Sequence, residues 1–407
     1  MSSPWLLHNG VPVATHVILS HDEQLERLRQ SCPSAVERAV VAGDPCLDRL
    51  QASLLLRESH RQALGVRPAQ RLIVLSSTWG DKSLFGRDPD LPLKLAEQLP
   101  LDSYRLAMAL HPNIAQGHSS WQVENWLDDC RKAGVHVLPT EDLWQSALVA
   151  ADLTIGDHGS VTFYSACLGT PLLLAEAPED AVDPDSPIAR LLRRAPRLGA
   201  DPLTSIEQAI ADHDPLRYAG ITELATSLPG KSADALRALL YQGLNLTPRP
   251  ATFPTLPLPT RPAVTPAALS VRIDTGQTPA AVTRYPATPR PRWDDAQLVV
   301  HADGADAGLL GLADVVIGAG RTDPLHWAGV MLRALPGCQW VATPSNGPSW
   351  LAASANGLVV ELTADGVPDA FVSLLAASDA EPPAELRLDV AGHVYTAKIR
   401  TIRSAGP

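Results

Sequence analysis

The sequence is poor in cysteine, in basic charge and in long apolar runs, and each shortage excludes something. Its five cysteines (Cys32, Cys46, Cys130, Cys167 and Cys338) are scattered, and no two stand at CxxC spacing. A disulfide framework and a structural zinc site are therefore not expected. Lysine and arginine number 33 against 44 aspartates and glutamates, a formal net charge of −11. A general nucleic-acid binder needs a basic surface to neutralise phosphate, so that class is set aside. A local seat for one small anion is not. No apolar run approaches the ~18 residues of a membrane span. The first ten residues lack the basic stretch and following apolar segment of a signal peptide. Among chemistry-bearing motifs there is no GxxxxGK[ST] phosphate loop, no GxSxG nucleophile elbow and no HExxH. Gly318-Ala-Gly320 follows a predicted strand, but Asp323 stands where the third glycine of GxGxxG belongs. No bound metal and no cofactor are expected.

What is present fits an α/β protein of two or more domains. The chain has 407 residues, of which 45% are apolar, enough to bury a core. Proline is in excess at 37 residues, and 11 of them fall between Pro248 and Pro291. Proline removes backbone donors and fixes φ, so helix interiors and central strands fit poorly there. Residues 248–293 therefore read as an extended, partly polyproline II linker, with a docked strand-like arm as the alternative. The linker divides the chain into a domain over 1–247 and a smaller α/β unit over 294–407.

In the first domain, short apolar runs alternate with helical patterns. Strands are expected at 11–19, 39–42, 71–76, 104–110, 135–138, 153–155 and 172–175. Helices are expected at 22–30, 51–64, 91–98, 121–133, 142–150 and 161–168, with Gly65, Gly134 and Gly169 as stops. Unbroken apolar strands separated by helices predict a doubly wound, Rossmann-like parallel sheet covered on both faces. Its ligand site belongs outside the carboxyl ends of the strands. Beyond the linker, strands are expected at 298–301, 315–317, 340–342 and 358–361. Helices are expected at 323–334 and 367–377, and 386–390 and 394–399 read as a terminal hairpin through Ala391-Gly392.

Four segments follow consecutive strands of the first domain and carry polar chemistry. In Gly156-Asp157-His158-Gly159-Ser160-Val161-Thr162, a tight turn leads into a helix. Ser160 reads as its N-cap, Gly159 permits close backbone approach, and Ser160 and Thr162 add hydroxyls. A helix N-terminus presents free N–H groups to a phosphate, although a plain serine-capped turn has the same pattern. His111, in Leu110-His-Pro112, ends another strand and suits acid–base work or a diphosphate contact, or is structural. Thr78-Trp79 and Lys82 follow a third strand and line an anion pocket or form a solvated loop. Glu141 and Asp142 follow a fourth, where a carboxylate holds a ribose hydroxyl or caps the next helix.

At these segments the sequence resembles the nucleotide-binding half of the CDP-glycerol glycerophosphotransferases, GT-B-type enzymes that polymerise teichoic-acid backbones. Five segments carry the resemblance: Val40-Val-Ala-Gly-Asp-Pro-Cys-Leu-Asp-Arg-Leu50, Thr78-Trp79, His111-Pro112, Ala151-Asp152 through Gly156-Asp157-His158-Gly159-Ser160-Val161, and Leu168-Gly169-Thr170-Pro171. The resemblance covers about residues 13–195. The resemblance implies a nucleotide-diphosphate donor of the CDP-glycerol or CDP-polyol type, held without a metal. His111 would meet the diphosphate or stabilise the leaving group, Ser160, Val161 and Thr162 would hold phosphates, and Glu141 or Asp142 would approach the ribose. It further implies a cytoplasmic protein, peripheral to the inner face of the membrane, with a lipid-linked acceptor. The chain departs from the family at His158-Gly159, where Tyr-Ser is usual, and at Leu110, where an arginine precedes His-Pro. Only a short stretch precedes the matched region, where such enzymes carry a second Rossmann-like domain with a catalytic His-Gly, and His8-Asn9-Gly10 matches that motif poorly. Two further readings stay open. One is a non-catalytic nucleotide-sugar-binding protein. The other is a UDP-sugar glycosyltransferase or UDP-N-acetylglucosamine 2-epimerase-like protein.

Overall fold

The computed structural model describes residues 3–117, 119–139, 143–247, 258, 266–287, 295–302, 307–320, 323–345, 348–378 and 380–403. After a helical turn at Ser3–Leu6, a tight hairpin pairs Leu7–His8 with Val11–Pro12. Two parallel strands follow, β1 (Val17–Leu19) and β2 (Ala39–Val41), with the helix Asp22–Ser31 between them.

The main sheet of the first domain has five strands: β3 (Arg71–Ser77), β4 (Tyr104–Leu110), β5 (His136–Val137), β6 (Leu153–Gly156) and β7 (Leu172–Leu174). All are parallel, in the order β5-β4-β3-β6-β7. The order reverses between β3 and β6, which makes their carboxyl ends the switch point of a doubly wound sheet. Alternate residues of one strand serve opposite cores. Ile73 and Leu75 join Leu106 and Met108 against the helices Leu91–Gln98 and Ser120–Lys132. Leu72 and Val74 join Ala107 and Ala109 against Leu50, Ala147 and Leu148 on the other face. Burial on both faces is why these strands read as unbroken apolar runs. At the amino end of β6, Asp152 accepts from Leu72 N at 2.7 Å and pairs with Arg57 and Arg61, fastening a helix to the sheet.

The helix expected over 51–64 starts earlier, at Pro45. It is capped by Asp44, whose carboxylate accepts from Cys46 N and Leu47 N, and it breaks into separate turns after Ser53. Sequence periodicity missed the start because Pro45 reads as a breaker, yet proline suits the first helical position.

Residues inside the expected linker correct that expectation. Ala268–Asp274 (β8) and Ala280–Pro286 (β9) pair antiparallel in register from Leu269–Pro286 to Asp274–Ala281. Pro279 precedes β9 and Pro286 ends it, so neither proline interrupts the ladder between them. Most of the remaining prolines of 248–293 lie outside the described residues. Leu258, 4% exposed, packs into the first domain beside Leu50, Leu64 and Leu148, as a docked arm would.

The second unit closes into a nine-stranded barrel, a feature the element pattern did not reveal. Its other strands are β10 (Gln297–His301), β11 (Val315–Ile317), β12 (Trp340–Pro344), β13 (Ser349–Ser354), β14 (Val359–Ala364), β15 (Glu385–Val390) and β16 (His393–Arg403). They run in the order β8-β9-β15-β16-β14-β13-β12-β11-β10, and β10 pairs back onto β8. β10, β11 and β12 are mutually parallel. β13 was not expected, because Trp350-Leu-Ala-Ala-Ser lacks alternation. The helix Pro368–Ala376 fills the interior. Its Ala370, Phe371 and Val372 are fully buried in one cluster with inward residues of the strands.

The barrel packs against the amino-terminal edge of the parallel sheet. Leu101 N donates to Arg284 O at 2.8 Å and Ala267 N to Lys132 O at 3.2 Å. Gly134 (φ +77°) lets Pro266 approach so closely that a Cβ there would stand 2.3 Å from its Cγ. Arg284 on β9 is 4% exposed and pairs with Asp102, which precedes β4, and with Asp369 on the interior helix. Arg67 joins Asp102 at 2.6 Å.

Two buried histidines predict an acid limb in stability. His60 is 1% exposed with neither ring nitrogen bonded, and His136 is 5% exposed with Nδ1 unbonded. Burial lowers both pKa values, and Arg105 lowers that of His136 further. The unfolded chain thus takes up these protons first. Their contribution is complete above about pH 7 and is lost as pH falls below the unfolded value near 6.5 toward the lowered folded-state values. Denaturant midpoints at pH 7.5 and 5.5 should fall on acidification, and His60→Leu should shrink that fall. An equal fall in the variant removes His60 from the account.

Candidate functional site

A cleft of about 610 Å³ opens at the carboxyl ends of β3, β4 and β6. Its floor and walls include Thr78, Trp79, His111, His158, Gly159, Ser160 and Val161. The structure thus brings three of the four predicted segments to one place, at the switch point of the sheet.

Asp157 organises the cleft from beneath. It is fully buried and does not line the cavity. Its Oδ2 accepts from Thr78 N and Leu84 N, both at 2.9 Å, and its Oδ1 accepts from Gly159 N at 3.0 Å. One carboxylate therefore fixes the loop after β3 to the turn after β6. The structure thus places Asp157 beneath the cleft lining, with its oxygens accepting from backbone amides.

The turn after β6 is close-packed. Gly156 has no Cβ, and one placed there would lie 2.2 Å from Thr162 Oγ1. Thr162 is fully buried, its hydroxyl has no hydrogen-bond partner, and it stands outside the cleft lining. The helix Ser160–Cys167 begins one residue earlier in its cap than expected. Gly159, not Ser160, is the N-cap, and no side chain caps the turn. Exposed Ser160 is the first helical residue. The first amides consequently face the cleft with no side-chain acceptor, a ready seat for an anion. His158 lines the same wall, and its buried Nδ1 has no partner.

His111 is held in one tautomer. Its Nδ1 accepts from Asn113 N at 3.1 Å, so the neutral ring carries its proton on Nε2. Burial lowers its pKa, with the Asp157 charge opposing in part. A neutral His111 is thereby a hydrogen-bond donor through Nε2. Trp79 is 50% exposed and stacks on His111 with centroids 4.2 Å apart and planes tilted by 39°.

Lys82 does not line the cleft. Its ammonium pairs with Asp180, beside Ala181 and Val182, which do line it. The pair ties the rim of the β3 loop to the segment opposite. Glu141 and Asp142 lie outside the described residues. Among lining residues that sequence reasoning missed, Trp144 is the largest, and it stacks with Tyr164 at 6.1 Å. Tyr164 donates to Asp44 at 2.8 Å, and burial raises its pKa. Trp144 had no polar signature and sits in a helix, so only its position next to Glu141-Asp142 hinted at the site.

No helix among the described residues is long and apolar enough to cross a membrane. No family model matches the sequence, and no curated protein matches it. Solved structures do resemble parts of it. The wall teichoic acid polymerase TagF is 15% identical over 57% of this chain and 58% of that chain, with a TM-score of 0.42. UDP-GlcNAc 2-epimerase from Neisseria meningitidis, bound to UDP-GlcNAc, is 17% identical over 57% and 62%, with a TM-score of 0.37. Anabaena Alr3699/HepE, in complex with UDP and glucose, is 15% identical over 57% and 64%, with a TM-score of 0.32. The match thus spans little more than half of the TagF chain.

Proposed function

We propose that the cleft binds a nucleotide-diphosphate-activated donor of the CDP-glycerol or CDP-polyol type, and that the chain is a GT-B-type glycosyl- or glycerophosphotransferase-like protein of cell-envelope polymer synthesis. The observation that carries this reading is the convergence of the uncapped N-terminus of Ser160–Cys167, His111 and Trp79 on one cavity at the switch point. The sequence motifs supply the donor class. One phosphate rests on the amides of Ser160 and Val161, where the helix dipole favours negative charge. Nε2–H of His111 donates to the phosphate that becomes the leaving group, stabilising charge as the bond breaks. Trp79 and Trp144 supply apolar wall for the base or the polyol. A lipid-linked acceptor at the inner membrane face would complete the reaction.

A thermal-shift panel of CDP-glycerol, CDP-ribitol, CMP, UDP and UDP-sugars tests this reading. The cytidine diphosphate ligands should raise the melting temperature most, and a larger shift with UDP-sugars moves the reading to a UDP-sugar enzyme or epimerase. Losing one hydrogen bond to a charged group costs about 1.5–3 kcal/mol, so His111→Ala should weaken CDP-glycerol by about tenfold or more and CMP much less. Ser160→Trp should fill the cleft and abolish all binding. No shift with any nucleotide at millimolar concentration refutes the proposal.

A second reading, donor binding without transfer, draws on one observation. Among the described residues, no carboxylate lines the cleft, and the barrel sits at the far edge of the sheet, so it contributes no lining residue. Release of CMP from CDP-glycerol in the presence of acceptor lipid decides between transfer and binding alone.

A further inference from the structure

We infer that Trp144 is the surface on which the donor's nucleobase stacks, and that Tyr164, anchored on Asp44, is the positioning residue that holds Trp144 in place. The inference rests on the donor-cleft reading and assigns the two ends of that cleft. Trp144 is the first residue of the helix Trp144–Ala150 and lines the cavity. The residue before it, Leu143, has a left-handed backbone, φ +69°. That conformation is costly for a residue with a Cβ, and strain of this kind persists only where the surroundings hold it. Here Leu143 is 3% exposed, buried in one cluster with Leu138 and Ala147. The turn that sets the direction of Trp144 is therefore fixed by the core.

Tyr164 braces the indole without lining the cleft. Its ring meets that of Trp144 with centroids 6.1 Å apart and planes 25° from parallel, an offset stack. Its hydroxyl donates to Asp44 Oδ2 at 2.8 Å. The other oxygen of Asp44 accepts from Cys46 N at 2.9 Å and Leu47 N at 3.0 Å, so the carboxylate is held from both sides. Burial, and then the charge of Asp44, push the Tyr164 pKa up, which keeps the phenol a donor. Gln145, next to Trp144, donates to Cys46 Sγ at 3.2 Å and ties the second helix to the same turn. An aromatic wall fixed in this way loses little freedom when a ring lies on it. Position separates the base from the polyol. Trp79 stacks on His111, which donates to the leaving phosphate, so its ring belongs to the phosphate end. Tyr164 stands one helical turn, about 6 Å, beyond the Ser160 amide along the same helix. Trp144, stacked on it, is thus displaced from the phosphate seat, as a base is from its 5′-phosphate. Glycerol has no flat face to lay on an indole, and a nucleobase has one.

Calorimetric titration of the full chain with CMP and with CDP-glycerol tests the assignment. Trp144→Leu and Tyr164→Leu should each weaken both ligands by about tenfold, the loss expected of one base–aromatic stack. The factor should be the same for the two ligands, because they share the nucleoside and differ in the polyol. The double variant should bind no more weakly than the weaker single variant, since Tyr164 acts through Trp144. Tyr164→Phe keeps the ring and loses only its anchor, so it should bind better than Tyr164→Leu. Melting temperatures establish that each variant folds, and Tyr164→Met, which fills the space without a ring, stands in for Tyr164→Leu if that variant does not. A loss confined to CDP-glycerol, additive losses in the double variant, a Phe variant as weak as the Leu variant, or native affinity in Trp144→Leu or Tyr164→Leu overturns the assignment and leaves the donor-cleft reading standing. A native chain that binds no nucleotide overturns both.

Discussion

Asp157→Ala is expected to lower the unfolding free energy by about 3–5 kcal/mol and to leave the donor cleft unable to bind ligand. The carboxylate is fully buried and accepts from three backbone amides, those of Thr78, Leu84 and Gly159. A hydrogen bond to a charged acceptor contributes about 1.5–3 kcal/mol, and a buried amide left without one loses its solvation as well. The three bonds share one acceptor, so they do not simply add. Asp157→Asn separates geometry from charge. It keeps one accepting oxygen and turns an amide nitrogen toward either the Thr78–Leu84 pair or Gly159, a donor against a donor. That variant should lose about 1–3 kcal/mol by denaturant titration. It should also drop the pKa of His111 below its already lowered value, because the Asp157 charge is what partly restores it. The His111 ring resonances, followed by NMR against pH, report this shift. An Asn variant with native stability and an unmoved His111 titration would mean that the loops hold themselves.

That prediction shows which part of the site was legible in the sequence. Segments that end strands are readable, because an apolar run stopping at Ser77, Leu110 or Gly156 places the next polar residues on the sheet's rim. Which of those residues face the cavity is a matter of a single turn, and sequence spacing does not resolve it. Asp157 and Thr162 flank the lining residues His158 to Val161, yet both point into the protein, because the turn needs its own amides satisfied and Gly156 leaves a hole that Thr162 fills. Lys82 was read by charge alone, and it went to Asp180, an acid nearly a hundred positions along the chain. Ser160 failed as a cap for a local reason: Gly159 already has the extended backbone that an N-cap requires (φ −80°, ψ 161°).

The fold divides in the same way. The parallel sheet was legible because burial on both faces writes itself as uninterrupted apolar runs of strand length. The barrel was not, because closure depends on the pairing of β9 with β15, which joins Ala280 to Leu388 across most of the second unit and leaves no local mark in either strand. The proline count misled over 268–286. Between Pro266 and Pro286 only Pro279 occurs, β8 opens on four consecutive buried residues, and β9 alternates, with Val282 and Arg284 inward and their neighbours less buried. Composition averaged over the whole proline-rich stretch hid a hairpin within it.

Arg284→Leu should produce the largest loss of stability outside the cleft, about 3–5 kcal/mol, and should uncouple the two halves of the chain. The guanidinium stands between Asp102 of the first domain and Asp369 of the barrel's interior helix, each nearly excluded from water. Burial opposes its charge, but Asp369 and Asp102 outweigh burial and hold its pKa above the ordinary value. Burial likewise opposes the charge on Asp369, and Arg284 overrides it, keeping that carboxyl below its usual range. This stabilisation is present above the unfolded carboxylate pKa, near 4, and is lost as pH falls from there through the lowered folded-state value. Removing Arg284 alone takes the guanidinium from both carboxylates in a dry interface, leaving Arg67 on Asp102. The cost comes mainly from those uncompensated carboxylates rather than from the strength of the pairs. Arg284→Leu combined with Asp102→Asn and Asp369→Asn should therefore recover much of the loss. Calorimetry reads both effects, as a lower transition temperature in the single variant and as separation of barrel and sheet unfolding into two transitions. If the single variant melts as one native-like transition, the network is incidental, and the contacts of Leu101, Ala267 and Pro266 suffice to join the halves.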